Sequence, residues 1–370
     1  MMTPLRMDLF CRIIDNYGDI GVCWRLARQM RQALGWEVRL WVDDLTVFQR
    51  LAPSLDPRLP TQMLQGVQVC AFTPDRDWAS VVPHELVIEA FACELPAPFK
   101  QALLARTPSA LWLNLEYLSA EAWVEGCHGL ASRQGGHVDK FFFFPGFTAA
   151  TGGLLREPGV LDTRDHFQSS RRNARLWLEK YGIQVAEQDR IVSLFGYPQG
   201  DYRSLLQALA HPSRTVHLLQ TAGLNVPLPI ASDTQRLHRL PFLSQEEFDR
   251  LLWSADLNLV RGEDSFVRAQ WAGRPMLWHI YPQADNAHLD KLQAWLNLSS
   301  QPPPRQAIQL GWNAAPSAPD WAAQLQHAWT DEQAWAQWQH HSQSWTAQLS
   351  LQRDLATAIH DFYLKQRPQR

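Results

Sequence analysis

Apolar and polar positions recur with two different periods along the chain. Residues 7–14 (MDLFCRII) form a short apolar run that predicts a buried strand. After a loop rich in turn formers, Val22, Leu26 and Met30 recur every four residues, which predicts a helix over 22–34. Because strands that alternate with helices pair in parallel, this pattern predicts an α/β sheet with helices on both faces. Further strands are predicted at 38–42, 67–72, 86–90, 110–115 and 140–144, with helices near 44–51, 97–105 and 120–126.

The alternation stops around residues 145–170 and then resumes. The segment PGFTAATGGLLREPGV holds four glycines and two prolines in sixteen residues, which is typical of a loop and linker. We therefore expect two α/β domains, with a ligand in a cleft lined by the carboxyl ends of parallel strands. The resumed pattern predicts helices at 169–181, 202–210 and 245–254, and strands at 191–195, 215–220, 235–240, 255–260 and 275–280.

Beyond residue 301 the pattern is helical and rich in tryptophan. Trp321, Leu325 and Trp329 recur every four residues and predict one apolar helix face. The 17 tryptophans of the chain are expected to fill helix packing surfaces. A later apolar face comprises Trp345, Leu349, Ala356 and Phe362.

Composition narrows the classes of protein and partner. The formal charge of −3 gives no basic footprint for nucleic acid, whereas residues 1–155, with 13 Lys and Arg against 16 Asp and Glu, suit a basic partner. No apolar run approaches the roughly 18 residues of a membrane span, and the N-terminal sequence lacks the features of a secretory signal. Five scattered cysteines without a C-x-x-C pair favour neither a zinc site nor a disulfide framework, so we expect a cytoplasmic protein.

One stretch, RGEDSFVRAQWAG at 261–273, combines a strand end, a glycine turn and a helix start. The first N–H groups of a helix have no partner inside it, and its dipole favours an anion there. Asp264 or Ser265 is expected to be the N-cap, and Arg261 could form a fork of hydrogen bonds to a phosphate. Glu263 would repel a phosphate unless it has another partner, so it either caps the helix or contacts a sugar or an acceptor. The alternative is an ordinary capped helix with a surface arginine.

A second stretch, DNYGDIG at 15–21, follows the first predicted strand. Asp15 and Asp19 are four residues apart in a glycine loop, so one carboxylate could accept a proton while the other holds the partner. The alternative is a turn that caps the following helix. The stretch is not G-x-G-x-x-G, which argues against a dinucleotide-dependent oxidoreductase.

Aromatic side chains follow two other predicted strands. Phe195 and Tyr197 come after one, Phe242 and Gln245 after another, and such groups can stack on a base and pair with its edge. The alternative for each aromatic residue is ordinary core. His279, in the strand at 275–280, is expected to be a satisfied strand histidine.

These stretches carry a resemblance to a known family. FCRIIDNYGDIGVCWRLARQ (10–29) and RGEDSFVRAQWAGRPMLWHIYPQ (261–283) closely resemble the protein-arginine rhamnosyltransferases that modify elongation factor P, the EarP type. ELVIEAFACELP, LWLNLEYLSAEAW and FFPGF resemble it too, so the likeness extends along most of the chain.

The resemblance implies an inverting glycosyltransferase of the GT-B fold, with two Rossmann-like domains facing a central cleft and C-terminal covering helices. It implies an acceptor-binding domain at 1–155, a nucleotide-sugar domain at 156–345, and a helix at 346–370 that packs back toward the first domain. The implied donor is dTDP-β-L-rhamnose, the implied acceptor is an arginine of elongation factor P, and neither metal nor other cofactor is expected.

The resemblance also implies roles for single residues. Asp15 and Asp19 would be the catalytic carboxylates, with Asp19 the base, and Glu263 would lie near the sugar and the acceptor. Phe242 would stack on thymine and Gln245 would contact its edge. The diphosphate would be held by Arg261, Asp264 and Ser265, and the donor pocket lined by Phe195 and Tyr197.

Two other functions stay open at this stage. One is a metal-independent GT-B glycosyltransferase with a small-molecule acceptor, which would use the same donor site. The other is a non-catalytic protein that binds a nucleotide sugar or a translation factor, and that would tolerate loss of Asp19.

Overall fold

The computed structural model describes residues 4–14, 17–135, 138–283, 285–314 and 320–366. The chain divides into two compact units, Met1–Pro158 with Gln352–Arg370, and Gly159–Leu351. The chain therefore leaves the first unit after Pro158 and returns to it at Gln352. The corresponding boundaries expected from the sequence were after residue 155 and after residue 345.

The first unit is built on an eight-stranded sheet. Its strands are β1 (Arg6–Cys11), β2 (Glu37–Val42), β3 (Thr61–Leu64), β4 (Val67–Ala71), β5 (Leu86–Ala90), β6 (Leu111–Leu115), β7 (Ala131–Gly135) and β8 (Val138–Phe143). They lie in the order β3-β4-β2-β1-β5-β6-β8-β7. Only the edge pairs β3–β4 and β7–β8 are antiparallel among the described strands. Sequence analysis missed β3 and β7, because β7 alternates exposed and half-buried residues, β3 is buried only at Leu64, and neither contains a long apolar run.

Helices cover this sheet as predicted. They are α1 (Gly18–Gln32), α2 (Leu45–Leu51), α3 (Ala97–Ala105) and α4 (Trp123–Cys127), with a 3₁₀ turn at Trp78–Ser80. Helix α1 begins four residues before the predicted start at Val22, since its first turn is built of Gly and Asp rather than of periodic apolar residues. Leu26 and Met30 are fully buried against the sheet, in the core that also contains Leu9 and Leu40.

The second unit contains a five-stranded parallel sheet. Its strands are β9 (Arg190–Leu194), β10 (Val216–Gln220), β11 (Gln235–Arg239), β12 (Leu257–Arg261) and β13 (Met276–His279). They lie in the order β11-β10-β9-β12-β13, and every pair is parallel. All five predicted strands are confirmed; β9, β10, β12 and β13 are buried along their whole length, whereas β11 is buried only at Gln235.

Nine helices of the second unit lie in the described ranges. They are α5 (Val160–Gln168), α6 (Arg171–Glu179), α7 (Tyr202–Ala208), α8 (Gln245–Ser254), α9 (Asp264–Ala272), α10 (Ala287–Leu298), α11 (Pro303–Asn313), α12 (Trp321–Thr330) and α13 (Glu332–Ser350). The loop predicted at 145–160 precedes α5, a helix that sequence analysis did not predict because it contains no buried residue and so has no apolar stripe. None of the helices in the described ranges is both long and apolar enough to span a bilayer.

The predicted tryptophan faces are buried. Trp321, Leu325 and Trp329 all pack into the core from α12, which confirms that face. The later face is divided, because Trp345 and Leu349 lie on α13 whereas Ala356 and Phe362 lie on α14 (Leu355–Gln366), which belongs to the first unit. There the ring centroids of Trp36 and Tyr363 are 5.0 Å apart.

Candidate active site

The predicted donor-binding residues gather at one edge of the second sheet. All five strands run in the same direction, so their carboxyl ends share that edge. Phe195 and Tyr197 follow β9, Phe242 and Gln245 follow β11, and Arg261 ends β12. The parallel order thus brings together residues that are up to about seventy positions apart in the sequence.

Arg261 is fixed between two aromatic rings. Its guanidinium carbon lies 4.5 Å from the ring centroid of Phe195 and 4.9 Å from that of Tyr197, and its Nη1 donates to the carbonyl oxygens of Gly196 at 2.9 Å and Gly223 at 3.2 Å. Gly223 has to be a glycine here, because a Cβ atom would lie 2.4 Å from the Phe195 ring. The guanidinium is therefore held rigidly, and Nε and Nη2 donate no hydrogen bond to any residue that the structure describes. Those two donors are suited to an anion.

The turn between β12 and α9 places a helix start beside this guanidinium. Gly262 has a φ of 61°, a left-handed conformation that glycine adopts without strain. The predicted N-cap, Asp264 or Ser265, was wrong, because α9 begins at Asp264 and its N-cap is Glu263, without a side-chain capping bond. Ser265 instead closes the turn. Its hydroxyl donates to the carbonyl oxygen of Arg261 and accepts from the N–H of Arg261 at 3.1 Å. A ligand at this position would meet the main-chain N–H groups of the first turn.

Glu263, whose carboxylate would otherwise repel a phosphate, forms an ion pair with a lysine. Its Oε1 accepts a hydrogen bond from Lys291 Nζ at 3.1 Å. Lys291 lies on α10, a helix that sequence analysis did not predict. The ion pair offsets the negative charge of a carboxylate that stands at the start of α9.

Aromatic side chains line the rest of this edge. Phe242, in the loop after β11, is 37% exposed, which leaves part of its ring accessible to a ligand. Gln245 is the first residue of α8 and is buried. Ser244 caps that helix by accepting from Glu247 N at 3.2 Å.

Buried polar contacts hold the loop after β9. The N–H of Tyr197 donates to His279 Nδ1 at 3.1 Å, so the expectation of a satisfied strand histidine is confirmed. Tyr202 Oη donates to the carbonyl oxygen of Tyr197 at 2.7 Å. Burial, together with the nearby positive charge of Arg261 and the neighbouring His288, lowers the pKa of His279 to about 4. His279 is therefore neutral at physiological pH and can accept the Tyr197 hydrogen bond.

In the first unit, Asp19 lies in the first turn of α1 and its residue is 2% exposed. Its Oδ2 accepts from the N–H of Ile14 at 2.8 Å, and its Oδ1 accepts from Tyr117 Oη at 3.3 Å. The carboxylate also lies at the N-terminal end of α1, where the helix dipole favours an anion. Asp19 is not the N-cap, which is Tyr17. The predicted Asp15 lies outside the described residues.

No group of three or more His, Cys, Asp or Glu residues in the described ranges is arranged to hold a metal ion. At the carboxyl edge of the second sheet, the donors available to an anion are the Arg261 guanidinium and the main-chain N–H groups at the start of α9. This chemistry suits a diphosphate.

A family model decides the class of this protein. The model of the elongation factor P (EF-P) rhamnosyltransferase EarP matches residues 7–364. The chain belongs to the EarP family. It is therefore a glycosyltransferase, and the resemblance seen in the sequence is confirmed.

Curated members of the EarP family align with almost the whole chain. A protein-arginine rhamnosyltransferase of Pseudomonas putida is 47% identical, with 96% of this chain and 98% of that protein covered. One of Pseudomonas aeruginosa is 43% identical, with the same coverage, and one of Shewanella oneidensis is 39% identical, with 97% of each covered.

Solved structures agree on the architecture. A structure described as the structural basis for EarP-mediated arginine glycosylation of translation elongation factor EF-P has a TM-score of 0.63 and 32% identity, over 98% of this chain and 99% of that one. The spinosyn rhamnosyltransferase SpnG has a TM-score of 0.53 and 12% identity, over 96% and 99%, and shows the fold alone. The chain contains two α/β units, each built on a mainly or wholly parallel sheet, and has the GT-B fold, as predicted.

Sequence reasoning did not single out two residues that contact predicted site residues: Tyr117, beside Asp19, and Lys291, beside Glu263. Tyr117 lies two residues beyond β6, and Lys291 lies on α10. The signal for Tyr117 was its place in LWLNLEYLSAEAW, just after an apolar run that the analysis predicted as a strand. Lys291 is a charged residue in an amphipathic stretch. It could have been identified from the sequence only after α10 had been predicted.

Proposed function

We propose that the protein transfers L-rhamnose from dTDP-β-L-rhamnose to an arginine side chain of elongation factor P, with inversion at the anomeric carbon. Membership of the EarP family along residues 7–364 carries this proposal, since that family is described as rhamnosyltransferases of elongation factor P and its curated members as protein-arginine rhamnosyltransferases. The chemistry of the site residues supports it. A substrate that acts in translation makes the cytoplasm the proposed location, as the unpaired cysteines also suggest.

The donor is bound by the second unit in this proposal. Phe242 stacks on the thymine and Gln245 contacts its edge. Arg261 and the first turn of α9 bind the diphosphate, with Asp264 and Ser265 contributing main-chain amides. Phe195 and Tyr197 line the pocket and hold the Arg261 guanidinium, as their ring distances of 4.5 and 4.9 Å indicate.

The acceptor is activated by carboxylates. A guanidinium is a poor nucleophile because it is cationic and its lone pairs are delocalised, with a pKa above about 12. A carboxylate can localise the positive charge on one side and accept the proton. Asp19 is the proposed base, Asp15 assists it, and Glu263 orients the sugar and the acceptor.

The displacement is one step in which bonds and charges balance. A guanidinium nitrogen forms a bond to the anomeric carbon while the bond from that carbon to the diphosphate oxygen breaks. The nitrogen loses one proton to Asp19, and dTDP leaves with the electron pair of the broken bond. Attack on the face opposite the diphosphate inverts the anomeric centre. Arg261 and the helix start stabilise the leaving diphosphate, so we propose that no metal is needed.

The test is intact-mass analysis of elongation factor P after incubation with the protein and dTDP-rhamnose. We expect one deoxyhexose to be added, and fragmentation to place it on an arginine. EDTA should leave the initial rate unchanged, and a rate that falls with EDTA and recovers with Mg²⁺ would overturn the metal-free step. An unmodified acceptor, with donor that is consumed only when small-molecule acceptors are added, would replace this function by the first alternative. Binding of dTDP with no transfer to any acceptor would favour the second.

A further inference from the structure

The chain is strained directly after β5. Phe91 and Ala92 have φ values of 56° and 51°, in the left-handed region that residues other than glycine rarely adopt. Such residues persist where their surroundings dictate the conformation, and they are concentrated at functional sites. Here the N–H of Phe91 donates to the carbonyl oxygen of Leu115 at 2.7 Å, and the N–H of Glu94 donates to Glu89 Oε1 at 3.0 Å. The turn is thus tied to the end of β6 and to a buried carboxylate.

The strained turn lays one aromatic ring flat on another. The ring centroids of Phe91 and Tyr117 are 4.4 Å apart, with an angle of 15° between the ring planes. Phe91 is 7% exposed and Tyr117 is 38% exposed. Strands β5 and β6 are parallel neighbours, with Ala90 opposite Leu115, so both rings emerge at the same end of the sheet. The stack restricts the direction in which the Tyr117 hydroxyl points.

That hydroxyl points at Asp19. Tyr117 Oη is 3.3 Å from Asp19 Oδ1, while the N–H of Ile14 is 2.8 Å from Oδ2. Each carboxylate oxygen therefore has a donor of its own, one from the main chain before α1 and one from the loop after β6. Two donors from different elements define the plane of the carboxylate.

We propose that Tyr117, held by Phe91 in the strained turn, is a positioning residue for the transfer: its hydroxyl orients the Asp19 carboxylate toward the acceptor guanidinium. This inference rests on the proposed role of Asp19 as the base. Tyr117 itself exchanges no proton with substrate. Its contribution is to keep one Asp19 oxygen hydrogen-bonded, so that the carboxylate presents a defined lone pair in the reaction.

The pH dependence of the rate can report this contact. Among the described residues, titratable groups that interact with Asp19 include Cys11 on β1, Cys23 on α1 and Tyr117, and Glu116 precedes Tyr117 in the same loop. Burial raises the pKa of both thiols, so neither titrates in the acid range. Burial also raises the pKa of Glu116, and its effect is present with or without the Tyr117 hydroxyl. A donor to an ionised carboxylate lowers the pKa of that carboxylate, so removing the donor should raise it.

The decisive variant is Tyr117→Phe, which keeps the ring and its stack and removes only the hydroxyl. Because 3.3 Å is at the long end of hydrogen-bond distances, we expect a modest loss, with kcat falling by about fivefold. The acid limb of kcat/KM should move up by about 0.5–1 pH unit, while the KM for dTDP-rhamnose stays unchanged. The matched control is Tyr181→Phe, which removes a hydroxyl 3.2 Å from Glu247 Oε2 in the second unit and should alter neither kcat nor the profile.

A second variant tests the stack. Phe91→Leu keeps an apolar side chain but removes the flat ring against Tyr117, and it should lower kcat in the same direction. Circular dichroism and thermal melting verify that each variant is folded. Should Phe91→Leu not fold, Tyr117→Phe alone decides.

The outcomes separate the two proposals. If the unmodified enzyme transfers no sugar, the proposed function is overturned. If it transfers sugar and Asp19→Asn does so equally well, the role of Asp19 as the base is overturned, and with it this inference. If Asp19→Asn is inactive while Tyr117→Phe keeps both the rate and the pH profile of the unmodified enzyme, only the positioning role of Tyr117 is overturned.

Discussion

Lys291 Nζ lies 3.1 Å from Glu263 Oε1, at the residue that precedes the first turn of α9. The two side chains are 24% and 18% exposed, so water screens their interaction only in part. The positive charge of Lys291 compensates the negative charge that Glu263 places at a helix start suited to an anion. Without the lysine, Glu263 would oppose a diphosphate beside Arg261.

The first prediction concerns this pair. Lys291→Met should weaken dTDP binding by about fivefold, or about 1 kcal/mol, because it leaves the Glu263 charge uncompensated beside the diphosphate. Isothermal titration calorimetry with dTDP measures this change, and Lys180→Met, at an exposed lysine on the same unit, is the control. Adding Glu263→Gln to Lys291→Met should restore most of the affinity, and a double variant as weak as the single one would contradict the charge argument.

The second prediction concerns Asp19. Asp19→Asn keeps an oxygen that can accept from the N–H of Ile14 but removes the basic carboxylate, so kcat should fall by about 10²–10⁴-fold. The affinity for dTDP should not change, because Arg261 and Phe242 are intact. Rates are followed by the intact mass of elongation factor P, with Asp75→Asn, an exposed carboxylate of the same unit, as the control. Retained turnover would reject Asp19 as the base.

The third prediction concerns Phe242, a residue that is 37% exposed at the carboxyl edge of the second sheet. Phe242→Ala should weaken dTDP binding by about 1–3 kcal/mol if the ring stacks on thymine. Phe242→Tyr keeps a ring of the same size and should bind dTDP as the unmodified protein does. Calorimetry that gives equal affinities for the alanine and tyrosine variants would remove the stack from the model of donor binding.

Buried parallel strands were the most predictable part of this fold. Strand β5 and helices α3 and α8 were predicted at their observed bounds, because apolar runs and helical periodicity report burial directly. The gathering of Phe195, Phe242 and Arg261 at one edge was also predictable, since each follows a strand and parallel strands share that edge. The particular side-chain partners were not predictable, because they depend on tertiary packing.

Two features of the candidate site could not be predicted from local sequence: the cap of α9 and the contact between Tyr117 and Asp19. The first turn of α9 was expected to be capped by Asp264 or Ser265, but Ser265 bonds to the main chain of Arg261 instead. Capping preference is a local quantity, and the tight turn at Gly262 overrode it. The Tyr117–Asp19 contact joins residues 98 positions apart, and it exists because β1, β5 and β6 are adjacent in the sheet. The sequence pattern does not define that order.

The last prediction is a loss of stability in acid that originates at His279. The pKa of this buried side chain is lowered to about 4, first by burial and then by the charge of Arg261, whereas an unfolded histidine has a pKa of about 6.5. Between these values the unfolded chain binds a proton that the folded chain does not. The contribution of neutral His279 to folding is therefore fully present above about pH 6.5 and is lost progressively down to about pH 4, by up to about 3 kcal/mol. Denaturant unfolding measured across this range gives the free energy of unfolding at each pH.

The matched variant is His279→Asn, whose side-chain oxygen can still accept from the N–H of Tyr197 but does not titrate. Other histidines whose pKa burial lowers, such as His238 and His288, continue to contribute, so the slope between pH 6.5 and 4 should become smaller without disappearing. His327→Asn, at an exposed histidine on α12, should leave the slope unchanged. Equal slopes for the His279→Asn variant and the unmodified protein would mean that protonation of His279 is not linked to folding, and the neutral acceptor inferred for Tyr197 would have to be abandoned.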